Sequence, residues 1–319
     1  MEELPASHTR QGTIALSTGS LHSYGLSRVF DMAREAGFEA VEVMVDGRWD
    51  TRHPEYLKEL SHQFELPIAC LHSPFVSHVP GWRHSQINRL KETVAIAKRV
   101  GAGTVVAHLP VRWTRASLHL PLWGRHSLEL SLQLPVIGDG EYPKFLREGL
   151  DDFQRSTPVK VAVENMPYQR WWGRAVSAYR MNTLDDLEMF THLNFDTTHM
   201  GTAGIDIIAA YERLSDRIVH VHLSNYENGQ EHKLLTDGVL PLEKLLQRMH
   251  ADGYDGVISV EVEPGALEAG SERKARQNLR KCYEFCRKHF PFAESRQEPN
   301  AMARSVEADR GAGLKPSMV

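Results

Sequence analysis

Short β-branched runs alternate along this chain with longer segments of helical period. Eight runs read as strands: Thr13–Thr18, Ala40–Val45, Pro67–Ser73, Thr104–Pro110, Val159–Pro167, Leu193–His199, Ile218–Asn225 and Gly256–Pro264. Their bodies are largely apolar, as expected of strands covered on both faces of a parallel sheet. Between them lie segments such as Leu26–Gly37 and Ser85–Gly103, whose apolar residues recur every three to four positions. Gly37, Gly101 and Gly253 fall where a helix-terminating glycine releases the chain toward the next strand.

Eight such units over roughly 280 residues match the count and length of a closed (β/α)8 TIM barrel, an α/β single domain. A doubly wound open sheet would carry a glycine-rich phosphate loop after an early strand, and no GxGxxG follows the first one. The barrel is expected over residues 13–290. Residues 1–12 read as an N-terminal extension, and 291–319, where apolar periodicity stops, as a disordered tail. After the fourth strand a long loop insertion, Val111–Pro143, departs from the repeat. Loops after barrel strands lie on the catalytic face, so this one either walls the site or forms a subunit contact in a homo-oligomer.

Composition narrows the setting. With 41% hydrophobic and 24% charged residues, the chain has the balance of a soluble globular protein. A net charge of −4 argues against general attraction to nucleic acid or an anionic membrane, although Tyr168 to Arg174 groups arginines with aromatics. Cys70, Cys282 and Cys286 form no zinc-type CxxC pair and are too few for a disulfide framework. The N-terminus lacks the apolar core of a signal peptide, and no run of ~18 apolar residues could span a bilayer. The sequence reads as a reduced, cytoplasmic protein with no membrane partner.

The polar residues that interrupt the strands carry the chemistry. They are Glu42, His72, His108, Glu164, Asp196 with His199, His220 with His222, and Glu261 with Glu263. Nearly all stand at or near the C-terminal end of a strand, where a barrel places its active site. A charge buried there costs several kcal/mol unless it is paired or bound to a cation. No Lys occupies an equivalent strand end. Imidazole nitrogen with carboxylate oxygen is the donor set of a divalent metal ion, and Mn, Zn, Co, Fe and Mg are not distinguished by it. Taken singly, each residue has a plainer reading. His72 or His108 could be a hydrogen-bonded structural histidine, and Asp196 a helix cap. Glu42 could pair with a loop arginine, and His220, one step deeper than His222, could support it or pack. Their joint placement favours a functional site. Arg112 and Trp113, just past the fourth strand, are candidate pocket walls.

Through "LHSP", "AHLP", "VENMP", "FDTTHMG", "HVHLSN" and "VEVEP", in this order on successive strands, the chain resembles the xylose-isomerase-like TIM barrels. That superfamily includes sugar phosphate isomerases and epimerases and the AP endonuclease family 2 enzymes of the endonuclease IV type. The resemblance covers about the first 290 residues and implies one divalent metal held by Glu164, Asp196, His222 and Glu261. Glu164 and Glu261 would also be the catalytic pair that moves a proton on either side of a substrate carbon. His72, His108 and His199 would bind substrate. Asn225 stands where the epimerases carry an acidic residue, and Asn228 where they carry Arg. Resemblance to the endonuclease IV type implies further metals, with His72 and His108 joined by bridging Glu164, and His199 partnered by His232. There Gln230 replaces the expected acid.

The expectation is therefore a metal-dependent isomerase or epimerase with a small carbohydrate-like substrate, a sugar or related polyhydroxy carbonyl compound. The alternatives are a multinuclear hydrolase of phosphodiesters such as abasic-site DNA, and a non-catalytic barrel that serves as a binding module. The acidic balance of the chain argues against a nucleic-acid partner.

Overall fold

The computed structural model describes residues 12–75, 78–121, 127–135 and 140–291, with side chains described for 12–75, 78–112 and 140–291. The expected extension, apart from residue 12, and the expected tail, apart from residue 291, lie outside the described residues.

Eight parallel strands close into a barrel: β1 (Thr13–Ser17), β2 (Ala40–Met44), β3 (Ile68–His72), β4 (Thr104–His108), β5 (Lys160–Glu164), β6 (Leu193–Asp196), β7 (Ile218–Leu223) and β8 (Val257–Val260). Each pairs with its neighbours in sequence, and β8 closes on β1 through Thr13–Leu16 beside Val257–Val260. All eight runs expected from the sequence are present, but they end earlier than apolar patterning implies. In the sixth run the reason is local. Asp196 accepts a hydrogen bond from the His199 amide at 2.8 Å and caps a helix, Thr197–Ala203, so the strand stops there.

Amphipathic helices cover the barrel. Leu26–Ala36 buries Leu26, Val29, Phe30, Met32, Ala33 and Ala36 against it. Gly37 then takes a left-handed φ of 100°, as a helix-terminating glycine does, and a Cβ there would also come within 2.9 Å of the Tyr283 ring. Gly101 ends Gln86–Val100 in the same way at φ 81°. No helix among the described residues is long and apolar enough to cross a membrane.

Alternation within the strands separates packing from chemistry. Val41 and Val43, Val161 and Val163, Phe195, and Val221 belong to the apolar core between sheet and helices. Their neighbours Glu42, Glu164, Asn194, Asp196, His220 and His222 fall on the opposite face, which lines the barrel interior, and all are buried.

The insertion after β4 is not a simple loop. It holds an antiparallel ribbon, Trp113–Pro121 against Ser127–Pro135. Smaller ribbons follow β5, Tyr168–Trp171 with Arg174–Ser177, and β7, Asn225–Glu227 with Gln230–Lys233. An antiparallel bridge between Val111 and Tyr179 joins the base of the first ribbon to the end of the second.

Candidate metal centre

Register brings the polar strand ends together. His108, last in β4, is the partner of Glu164, last in β5. Asp196, last in β6, is the partner of His222 in β7. His72 ends β3, and Glu261 directly follows β8, its amide bonded to the Leu223 carbonyl at 3.2 Å. His222 Nδ1 lies 2.8 Å from Glu164 Oε1, 3.0 Å from Glu261 Oε2 and 3.6 Å from Asp196 Oδ2. On the other side of Glu164, His72 Nε2 and His108 Nε2 stand 3.1 Å apart. Glu164 Oε2 is 2.9 Å from the second and 3.6 Å from the first. Donors arranged around one ion at ~2.1 Å are separated by roughly 3–3.5 Å, the spacing of both groups.

Two observations show that this donor set fits a divalent cation. First, Glu164 Oε2 and Asp196 Oδ2 are buried with no hydrogen-bond partner, although His108 Nε2 lies 2.9 Å from the former. Such oxygens are costly unless a cation meets them. Second, His222 is flanked by acids on both sides. Its Nε2 faces Glu42 at 3.0 and 3.2 Å, while its Nδ1 faces Glu164 and Glu261. A neutral imidazole donates from only one nitrogen, so the other lone pair would oppose carboxylate oxygens. The Asn194 amide nitrogen, 3.0 Å from Nδ1, can meet that lone pair, but only a second proton or a metal ion brings positive charge among the acids.

The electrostatics agree. Burial alone would push the His222 pKa down, but the charges of Glu261, Glu42 and Glu164 outweigh it and hold it well above the usual histidine value. Burial would raise Glu164, yet His222 and His108 draw it well below the ordinary carboxylate range. Glu261 is lowered to about 2, with burial opposing and His222 the main attraction. The centre therefore keeps Glu164 and Glu261 ionised and calls for positive charge between them.

A sequence profile of the xylose isomerase-like TIM barrel matches residues 30–288. The chain belongs to that family. An uncharacterized protein of Mycobacterium tuberculosis is 26% identical to it over 299 residues, covering 87% of this chain and 97% of the relative. Among solved structures, D-allulose 3-epimerase from Methylomonas sp. in complex with D-allulose superposes with a TM-score of 0.61 at 13% identity, over 88% of this chain and 97% of the other. The IOLI protein, solved with a bound zinc atom, gives a TM-score of 0.61 at 16% identity, over 88% and 99%. At such identities the two structural likenesses are likenesses of fold.

In this xylose isomerase-like barrel the second group of expected ligands lies beside the first. The rings of His199 and His232 meet edge-on with centroids 5.5 Å apart, and with Asp196 they form a further cluster of donors. Asp196 serves two ends with two oxygens: Oδ1 caps the helix and Oδ2 faces the centre. The capping and metal-facing arrangements thus coexist.

Other expectations are met differently. Among the described residues Glu42 pairs with no arginine; its partners are His220 at 2.9 Å and His222. Arg112 is exposed, its amide bonded to the Ala178 carbonyl, and it is not among the residues that line the cavity. The side chain of Trp113 lies outside the described residues. Asn225 does not face the centre; it donates to the Leu235 carbonyl and accepts from the Tyr226 and Leu240 amides, each at 2.9 Å, which pins the following loop.

Asn165 and Glu231 were missed by sequence reasoning. Asn165 donates to the Asp196 carbonyl at 3.0 Å and accepts from its amide at 2.8 Å, and its own carbonyl meets His199 Nδ1 at 2.8 Å. Glu231 approaches His199 Nε2 at 3.8 Å. A polar amide directly after a strand-end acid in "VENMP" was the available signal for the first. Nothing local marked the second.

Above the centre lies a cavity of ≈ 370 Å³, lined by His72, His108, Glu164, His199, His232 and Glu261 together with apolar Met44, Phe75, Met166 and Tyr179. Among the described residues no Lys or Arg lines it.

Proposed function

We propose that this protein is a divalent-metal-dependent isomerase or epimerase acting on an uncharged sugar or related polyhydroxy carbonyl compound. The observation that carries the reading is the pair Glu164 and Glu261, which approach the same His222 nitrogen at 2.8 and 3.0 Å and both line the cavity. Glu164, Asp196, His222 and Glu261 would hold the ion. Once bound, it supplies Lewis acidity that polarises a carbonyl and its neighbouring hydroxyl and so acidifies the intervening C–H. The two glutamates, kept ionised by their surroundings, would remove the proton from one face and return it on the other. His72, His108 and His199 would orient substrate hydroxyls through their ring nitrogens. Met44, Phe75, Met166 and Tyr179 would limit water around the reacting carbon.

The cavity volume suits one sugar, and the lack of lining cations among the described residues supports a substrate without phosphate. Incubation of the metal-loaded protein with free ketoses and inosose-type ketones in D2O tests the reading. Deuterium is expected at the carbon next to the carbonyl, and Glu164→Gln and Glu261→Gln should each abolish its entry. Turnover without exchange at that carbon, or no exchange with any of these compounds, contradicts it.

One observation favours a second reading. The His72–His108–Glu164 and Asp196–His199–His232 groups flank the central four donors, as a multinuclear hydrolase would require. That reading predicts three bound ions per chain and cleavage of an abasic-site duplex. The cavity lining weighs against it.

A further inference from the structure

We infer that Glu42 and His220 are positioning residues that select the nitrogen His222 offers to a metal. This rests on the metal-binding reading above and extends it to side chains outside its four ligands.

Glu42 sits in the middle of β2 and reaches across the barrel interior to β7, from which it is separated by β1 and β8. It is fully buried, as are His220 and His222. Its Oε2 lies 2.9 Å from His220 Nε2, and its Oε1 lies 3.0 Å from His222 Nε2. The two rings stand nearly perpendicular, at 85°, with centroids 5.2 Å apart. One carboxylate therefore spans both imidazoles.

An ionised carboxylate only accepts hydrogen bonds, so each ring must present N–H from Nε2. In the neutral rings both Nδ1 atoms are then lone pairs. For His222 that nitrogen stands 2.8 Å from Glu164 and 3.0 Å from Glu261, the place the metal-binding reading gives to the ion, with Asn194 Nδ2 at 3.0 Å able to donate to it while no ion is bound. For His220 the same logic accounts for an otherwise odd feature. Its Nδ1 is buried without a hydrogen-bond partner, which is tolerable for a lone pair and much less so for a stranded N–H. His220 thus holds the far oxygen of Glu42, Glu42 holds Nε2 of His222, and the ring of His222 is fixed in both orientation and tautomer. A carboxylate behind a metal-bound histidine commonly changes metal affinity by about 10–100-fold.

Glu42→Gln is the informative change because it keeps shape while adding an N–H donor. The amide can satisfy one ring only by turning that ring's Nε2 into an acceptor. On His220 that change would strand an N–H at its buried, partnerless Nδ1, so it falls to His222, whose proton then moves to Nδ1, against the metal. Zinc affinity measured by chelator competition should fall about 10–100-fold in Glu42→Gln, and less in Glu42→Asp, which retains two acceptors. His220→Gln should produce a smaller loss. Long-range 1H–15N NMR of the zinc-loaded wild-type protein gives a test independent of any variant's folding: His222 should carry its proton on Nε2 and be metallated at Nδ1.

Unchanged zinc affinity in Glu42→Gln, or a His222 metallated at Nε2, overturns the inference while leaving the metal site intact. A wild-type protein with no zinc affinity overturns the metal-binding reading and this inference with it.

Discussion

His72 and His108 place their Nε2 atoms 3.1 Å apart at the ends of adjacent strands, beside the unpartnered oxygen of Glu164. Two ring nitrogens so close can share one proton, one ion or one substrate hydroxyl. In the proposed reaction they share substrate. His108→Ala should then leave the metal content of the central site unchanged and lower kcat/KM by roughly 10- to 100-fold, the loss of a hydrogen bond to a charged or polarised partner. Metal analysis and steady-state kinetics on the same preparation check both halves. Loss of a second equivalent of metal would reassign the pair as ligands.

Asp196 allows its two tasks to be separated. Asn caps helices about as well as Asp but carries no charge. Asp196→Asn should keep the thermal stability of the metal-free protein near that of wild type and weaken metal binding. Asp196→Ala should weaken metal binding and also destabilise the metal-free protein by about 1 kcal/mol through the lost cap. Thermal melts without metal, set beside zinc titrations, distinguish the two substitutions.

The proton and the metal compete for one place. In the metal-free protein His222 titrates well above the usual histidine value, because the acids around it outweigh burial. An ion at Nδ1 must displace that proton. Metal affinity should therefore rise with pH up to the raised His222 pKa and flatten above it, with up to about tenfold lost per pH unit below. Calorimetric titration in two buffers of different ionisation enthalpy should show net proton release on binding. Proton uptake would reverse the sign and contradict the assignment.

Much of this arrangement is written in local patterns. Strands with valine on one face and Glu42, Glu164, Asp196 or His222 on the other announce a barrel with a polar interior before any pairing is known. Strand ends are less visible, because Asp196 stops its strand by capping a helix, a hydrogen bond that apolar periodicity does not encode. The ribbon in the insertion was signalled by strict alternation in Ser127–Pro135, a period of two inside a stretch that otherwise reads as a loop. Least legible is the partner of Glu42. His220 lies 178 residues away in sequence, and only barrel closure brings the two together. Arg112 shows the converse: though it is close to a strand end in sequence, it is exposed and does not line the cavity.

The central claim is that Glu164, Asp196, His222 and Glu261 hold one divalent ion. Elemental analysis of protein purified without chelator, repeated after dialysis against zinc or manganese, tests it most directly. The account predicts about one ion per chain in wild type, with strong loss in Asp196→Ala. A wild-type chain that retains no divalent ion after such loading, or one that holds three, would contradict it.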